Sequence, residues 1–538
     1  MSGQVQLLDC TLRDGAYIVD AAFGTPAMKG IIKKMQESNV DIIECGWLKD
    51  KRHTAGTTFY HTPSDLEQYM AEKNSKTIYV AMIDWDRYDL RSLPEYDGKS
   101  IDAIRVVFPQ NRFREGIGLG RLIREKGYQV YFQAANTLGY SDEDLIVLAE
   151  EVNKADPVCL SIVDTFGAMY GEDLEHIISV LDKHLKRDVK LGFHSHNNQQ
   201  LSFALTMQFV NSLCDRDRDC IVDSSLCGMG RGAGNATTEL VASFLNRKYS
   251  GNYDMNVIMD AIDMYMQYFQ RNYQWGYSTS YFIAGMYCTH VNNISWLLEN
   301  HRTNSRDLRN IIESLSAEER RKYDYDLLES KYIEYQNKMV DDETGVDGLS
   351  AEFRQREILL LLPGKSVIEE KEKIDRYIDE NRPIVIGVNA VLEGYSYDYL
   401  FFSNQVRYQY AEEIYPQLFY SFRRIIASNV KTDSGMNEIL VNYNLLVKRG
   451  GEHFDNSGIM CLRLLNKLHV SDVALAGFDG FEDSHDRSYA DVSLPHINPG
   501  MGWEELNAEI KDMLKDFRDT TKNYMKIKFI TDSKYDFE

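Results

Sequence analysis

Short apolar runs alternate with amphipathic stretches from the first residues of the chain. Runs rich in Val, Ile, Leu and aromatic residues predict strands at Val5–Leu12, Val40–Trp47, Thr77–Asp84, Ala103–Phe108, Tyr128–Ala135, Cys159–Thr165, Val189–His196 and Cys220–Leu226. Between them, segments such as Pro26–Ser38 and Asp142–Lys154 space their apolar residues at a helical period. Strand and helix alternating eight times within roughly 250 residues is the size and count of a (β/α)8 TIM barrel.

The pattern then changes twice. From about Tyr249 to Gln336 it is helical and dense in Tyr, Met and charge, and Trp275–Phe282 opens a predicted helix running through His290 to Leu298. Asp341–Gly348 is polar and glycine-punctuated, which predicts a linker. Beyond it, strands are expected at Glu357–Leu362, Pro383–Val388, Tyr399–Phe402, Arg424–Ala427, Ile439–Val447 and Asp472–Ala476, with a helix over Ser457–Leu468. That is the alternation of a doubly wound, Rossmann-like α/β domain. The expected organisation is a barrel over 1–248, a helical extension and linker over 249–348, and the second α/β domain over 349–538. Pro363-Gly364-Lys365-Ser366 lacks the leading glycine and spacing of a P-loop.

Composition narrows the partners. A formal charge of −22 argues against nucleic acid, whose phosphates such a surface repels. The apolar runs are too short to span a bilayer, and no cleavable apolar leader is evident, so a cytoplasmic protein is expected. The eight cysteines lack the CxxC spacing of a thiolate metal site and read as small core residues, Cys227 included. Oligomeric state, homo-oligomer included, is left open.

The candidate chemistry sits at the predicted strand ends. Arg13 and Asp14 close the first strand and are followed by Gly15, expected to turn the backbone away. His194 and His196 are two residues apart on a strand, so both imidazoles share a face and can reach one cation. The glycine-rich turn Cys227–Asn235 follows the eighth strand, and closing the barrel brings Asp14, His194, His196 and Asn235 to one mouth. Glu44, closing the second strand, is placed to orient Arg13 through an ion pair.

Together Thr11-Leu12-Arg13-Asp14-Gly15, Glu44, His194-Ser195-His196-Asn197 and Gly232-Ala233-Gly234-Asn235 resemble the DRE-TIM metallolyases over roughly the first 250 residues. The glycine-rich turn and the helical extension look most like 4-hydroxy-2-oxovalerate aldolase. Hydroxymethylglutaryl-CoA lyase and the isopropylmalate synthases are more distant in pattern. The resemblance implies Asp14, His194 and His196 as metal ligands, Asn235 as a fourth, and Arg13 as the residue that stabilises an enolate. One position departs from the pattern: the aldolases carry a catalytic histidine where this chain has Tyr17, and the synthases a Glu-Gln pair where it has Ala16-Tyr17. Tyr277 is a match for a tyrosine that the aldolases draw from their helical extension. The region beyond 349 is similar, more loosely, to the domain of bacterial sialyltransferases and 6-hydroxymethylpterin diphosphokinase, through Pro363–Ser366, Asn389, Ser403-Asn404, Asn456-Ser457-Gly458 and Gly477–Gly480.

The donor set suits Mg2+ or Mn2+ better than a closed zinc site. The expected reaction is cleavage or formation of a C–C bond between a 2-oxo acid and an aldehyde through a pyruvate enolate, with Tyr17, Tyr277 or water at the metal as base. Two alternatives use the same chain differently: a Claisen-type acyl-CoA synthase on the same barrel, or a glycosyltransferase-like module with the barrel as scaffold. In the second domain Asp455, Asn456 and Ser457 open a helix whose free N–H groups can seat a phosphate, while Asn389 and Asn404 stand at strand ends. A nucleotide or nucleotide sugar is the ligand expected there.

Overall fold

The computed structural model describes residues 3–70, 73–74, 76–301, 303–336, 339–432, 437–448, 456–495 and 502–536. Two compact units divide it, Met1–Ile294 with Ser316–Tyr323, and Ser295–Leu315 with Asp324–Glu538. The helical stretch expected over 249–348 is therefore shared between them.

In the first unit, strands β1 (Val5–Asp9), β2 (Ile42–Leu48), β3 (Ile78–Asp84), β4 (Ala103–Phe108), β5 (Gln129–Ala134), β6 (Cys159–Asp164), β7 (Lys190–Ser195) and β8 (Cys220–Ser224) run parallel. Each pairs with the next, and β1 pairs with both β8 and β2, so the sheet closes into a barrel. Outward residues such as Leu7, Ile43, Val106 and Phe132 pack with the surrounding helices. The helix Asp142–Ala155 shows why the chain turns helical here: Ser141 accepts from the Asp144 N–H, three acidic residues occupy the first turn, and Leu145, Leu148, Ala149 and Val152 make one buried stripe.

Inside the barrel, alternate residues form layers. The lower layer is apolar, with Leu8, Ile42, Val80, Ala103, Tyr131, Cys159 and Ile221 in one buried cluster. Two residues further along each strand, the inward positions become Glu44 on β2, Arg105 on β4, Gln133 on β5, Ser161 on β6, His194 on β7 and Asp223 on β8, all buried. This polar layer separates the apolar plug from the mouth.

Several local expectations change. β1 stops at Asp9, and Arg13 and Asp14 stand instead on a short helical turn, Thr11–Asp14. Gly15 keeps ordinary helical angles (φ −63°); its small size is needed because a Cβ there would meet Met229 Sδ at 2.9 Å. The single helix expected through His290 is two, Thr279–Met286 and Val291–Asn300, interrupted where Cys288 takes a left-handed conformation (φ 48°). The linker expected at Asp341–Gly348 is largely helical, within Glu343–Phe353, which buries Leu349 and Phe353.

The second unit is a seven-stranded, wholly parallel sheet. Its strands are β9 (Ile358–Leu361), β10 (Ile384–Val388), β11 (Tyr399–Phe402), β12 (Arg423–Ala427), β13 (Glu438–Val441), β14 (Asp472–Ala476) and β15 (Lys526–Phe529), in the order β13-β12-β11-β10-β9-β14-β15. Ile358 and Leu360 face one core, Leu359 and Leu361 another, so both faces are covered. The strand expected over Ile439–Val447 ends at Val441, and a 3₁₀ turn follows at Tyr443–Leu445. β15 was not expected, because its alternating lysines belong to a half-exposed edge strand rather than an apolar run. Among the described residues no helix is long and apolar enough to cross a membrane.

Candidate active site

Asp14, His194 and His196 each offer a ligand atom, and these lie within 4.8 Å of one another. The two imidazoles share the β7 face, their rings 4.9 Å apart and nearly perpendicular. Nδ1 of His194 lies within ion-pair range of Asp223, 3.0 Å from its Oδ2, outside hydrogen-bond geometry, and His196 is fixed by its Nδ1, which lies 3.2 Å from the Asp164 carbonyl oxygen. Nε2 of His196 is thereby turned toward Asp14, 3.5 Å from its Oδ2. A histidine oriented through its second nitrogen by an oxygen is the usual way a protein presents a metal ligand.

The ligands are tied together beneath the site by a continuous buried chain of charges. Arg13 Nη1 donates to Asp14 at 2.5 Å and Arg13 Nε to Glu44 at 2.7 Å. Arg105 Nη1 then donates to the same Glu44 oxygen at 2.8 Å, and Arg105 Nη2 to Asp223, which holds His194. Three carboxylates face two guanidinium groups, so the buried chain carries one carboxylate in excess, whose charge a bound cation would balance. Burial opposes ionisation of Asp14, but Arg13 and the two histidines outweigh it and hold its carboxyl well below the usual range. Burial lowers the pKa of His194 despite Asp223, which favours the neutral, metal-binding imidazole.

Asn235 is brought to the same point by the glycine-rich turn, which docks on β7 through a bridge between Asn235 and His196. Its Nδ2 donates to Asp14 Oδ2 at 2.6 Å. Its Oδ1 is buried with no hydrogen-bond partner, as is Nε2 of His196. Rotating the amide half a turn would aim that oxygen at the site, the orientation a cation would favour. Buried orphan acceptors around an ionised carboxylate fit a divalent ion.

A cavity of about 670 Å³ opens above these residues. Arg13, Asp14, Tyr17, Trp47, His194 and His196 line it, together with Asp84, Arg231 and His290. Glu44 lies below, fully buried behind Arg13. Tyr17 is 42% exposed, yet desolvation in the cavity raises its phenol pKa, with Arg231 and Arg13 opposing. Asp84 is likewise pushed upward by burial, against the pull of Arg87 and Lys49. Tyr277 is placed elsewhere: 63% exposed, in the loop before Thr279–Met286, and not among the cavity's lining residues. The helical extension contributes His290 instead, at the start of Val291–Asn300. Arg105, Asp223, Asp84 and His290 were not anticipated. The only sequence signal for the first two was a charge in the middle of an apolar strand.

The HMGL-like family model matches residues 113–264 of this chain. The oxaloacetate decarboxylase of Mycobacterium tuberculosis is 25% identical over 266 residues, covering 47% of this chain and 74% of that protein. The 4-hydroxy-2-oxovalerate aldolase of Chloroflexus aurantiacus is 26% identical over 264 residues, covering 48% and 74%. Among solved structures, the N-terminal domain of a candidate aldolase from Bacteroides vulgatus is 24% identical with a TM-score of 0.47, covering 54% of this chain and 96% of that one.

The HMGL-like match lies wholly within the barrel unit. Within this barrel Asp14, His194 and His196 form a group that could hold a metal ion.

In the second unit a cleft of about 660 Å³ opens beyond the carboxyl ends of β9, β10 and β14. Asn389, Asn456, Ser457, Arg407, Gly364 and Gly477 are among its walls. Asn389 donates to Ser457 Oγ at 2.5 Å and to Ser403 Oγ at 3.3 Å and accepts from the Ser403 N–H at 2.9 Å, so it positions two hydroxyls. Asn456 caps the helix Ser457–Lys467, accepting from Gly458 and Ile459. Asn404 likewise caps the helix Gln405–Ile414, accepting from Val406 and Arg407, and does not appear in the cleft wall. Asp455 lies outside the described residues.

Proposed function

We propose that the barrel makes or breaks the C3–C4 bond of a 4-hydroxy-2-oxo acid through the enolate of pyruvate. The supporting observation is the position of Arg13: its guanidinium is held at 2.5 Å from Asp14, in the wall of the same cavity as the two histidines. Asp14, His194 and His196, with Asn235 beside them, would hold Mg2+ or Mn2+, which acts as a Lewis acid on the keto oxygen when bound.

The remaining work falls to the chain. Glu44 and Asp14 grip Arg13 from two sides, so the cation is oriented before charge develops on the enolate oxygen, which is what makes such a group effective. Tyr17 and Asp84 are the cavity groups placed to exchange the proton of the 4-hydroxyl. Trp47 donates its indole N–H to the Arg13 carbonyl at 3.3 Å and fixes the turn that carries Arg13 and Asp14.

The test is exchange of the pyruvate methyl protons in deuterated water, followed by NMR, with and without EDTA. Metal-dependent exchange is expected, together with pyruvate release from 4-hydroxy-2-oxo acids. Absence of both in metal-loaded protein ends the reading. Release of free CoA from an acyl-CoA would favour a synthase instead.

For the second unit we infer a Rossmann-like ligand site for a nucleotide or a nucleotide-activated compound. The cleft coincides with β9, where the strand order reverses, the place where open parallel sheets bind ligands. Ser457 opens an eleven-residue helix there, with Asn389 fixing its hydroxyl. Calorimetric titration of the full chain with nucleoside mono- and diphosphates and nucleotide sugars is the measurement. No binding across that panel would leave the sheet a structural element.

A further inference from the structure

The cavity of the barrel holds a second polar group of donors, across from the metal ligands, that the reaction does not use. Arg231 projects from the glycine-rich turn, its guanidinium carbon 3.7 Å from the Tyr17 ring centroid, and its Nη1 lies 3.3 Å from Nε2 of His290. The other ring nitrogen of His290, Nδ1, accepts from the Asn292 N–H at 3.1 Å. A neutral imidazole has a single lone pair on its ring nitrogens. If Nδ1 spends it on Asn292, Nε2 carries a proton and faces the N–H of Arg231, donor against donor. If Nε2 accepts from Arg231, the conflict moves to Nδ1 and the Asn292 N–H. One donor is left over in either case, and a bound acceptor at the cavity side resolves the conflict by bridging Arg231 and His290.

Among the described residues no carboxylate lies within ion-pair distance of Arg231 or of Lys49. Lys49 stands over the rings of Trp47 (5.1 Å) and Phe59 (4.3 Å); burial lowers its pKa, Asp84 opposes, and Arg87, Arg231 and Lys51 add to the lowering. Asp84 is engaged with Arg87 at 4.0 Å.

We infer that Arg231 and His290 form a recognition site for a second anionic group, so that the substrate is a metal-chelating 2-oxo acid whose distal end carries a carboxylate or phosphate. This rests on the reading of the barrel as a pyruvate-enolate lyase. The Tyr17 ring, 3.7 Å from the guanidinium carbon, holds Arg231 in place by a cation–π contact. Neutral aldehydes would leave Arg231 without an acceptor, and they are accordingly poor partners.

The test compares three 2-hydroxy acids that can chelate the metal alike and differ only at the far end: lactate, malate and 3-phosphoglycerate. Calorimetric titration of the metal-loaded full chain should give malate or 3-phosphoglycerate an affinity roughly 10- to 100-fold above lactate. Malate as the tighter ligand assigns a carboxylate, and 3-phosphoglycerate a phosphate. The advantage should vanish in Arg231→Met, shrink in His290→Phe, and be partly restored in Arg231→Lys; binding by the second unit would persist in all three variants. Equal affinities in the wild type, or an advantage that survives Arg231→Met, overturn the inference. Deuterium exchange into pyruvate separates the two readings: a distal preference without exchange retires the enolate chemistry alone, and exchange without preference retires the distal site alone.

Discussion

Nδ1 of His194 lies 3.0 Å from the carboxylate of Asp223, on adjacent barrel strands. That contact is one link in a continuous chain, because Asp223 is held by Arg105, Arg105 by Glu44, Glu44 by Arg13, and Arg13 by Asp14. The ends of that chain, His194 and Asp14, belong to the candidate metal triad. A side chain at any link therefore fixes the positions of residues it does not touch.

Asp223→Asn should lower affinity for Mn2+ or Mg2+ by roughly 10- to 100-fold, since partners of ligating histidines typically contribute that much. Arg105 would also lose a buried counter-charge. Metal titration together with a melting curve separates the two effects, and unchanged affinity in a folded variant rules out the orienting role.

Arg13→Ala should reduce turnover on the order of 10²- to 10³-fold, the usual loss when one preorganised donor to a developing oxyanion is removed. Metal occupancy should largely persist, because Asp14, His194 and His196 remain. Kinetics close to wild type in that variant would falsify the enolate role of Arg13.

Tyr17→Phe and Asp84→Asn should each be compared with Tyr277→Phe. Loss of a proton-transfer group costs about 10²- to 10⁴-fold, whereas Tyr277 is 63% exposed and outside the cavity, so its variant should retain activity. A large loss in Tyr277→Phe would mean that the extension reaches the substrate by a movement of its loop.

Asp9 supplies a pH signature of the fold. Burial, only partly offset by hydrogen bonds from Thr238 and Thr11, raises its carboxyl from the usual 3.8 to about 6. The folded chain therefore holds a proton there that the unfolded chain has released. Its contribution to stability is fully present below about 3.8 and is lost as the pH rises through about 6. The stability of Asp9→Asn relative to wild type should increase across that window, by up to about 3 kcal/mol, as read by denaturant titration at several pH values. A flat difference would show that the proton is not held.

The strand ends were legible in the sequence because two local signals coincide there. An apolar run defines the strand, and a chemically distinct residue defines where it stops, as at His194 and His196 and at the Arg13–Asp14 turn beyond β1, whereas Glu44 lies inside β2, which runs on to Leu48. Helices with a clear apolar stripe were legible for the same reason. Tertiary structure decided the rest. Arg105 and Glu44 are 61 residues apart and Arg105 and Asp223 are 118 apart, and only closure of the barrel places these inward positions in one layer. The helical extension presents His290 rather than Tyr277 because the chain breaks at Cys288, a left-handed residue that no periodicity announces. Asn404 and Asn456 look alike in sequence, and both cap helices; only Asn456 begins a helix whose start faces a cleft. Side-chain chemistry and local periodicity are properties of neighbouring residues, whereas a shared cavity depends on which distant strands become neighbours, and that is set by packing of the whole unit.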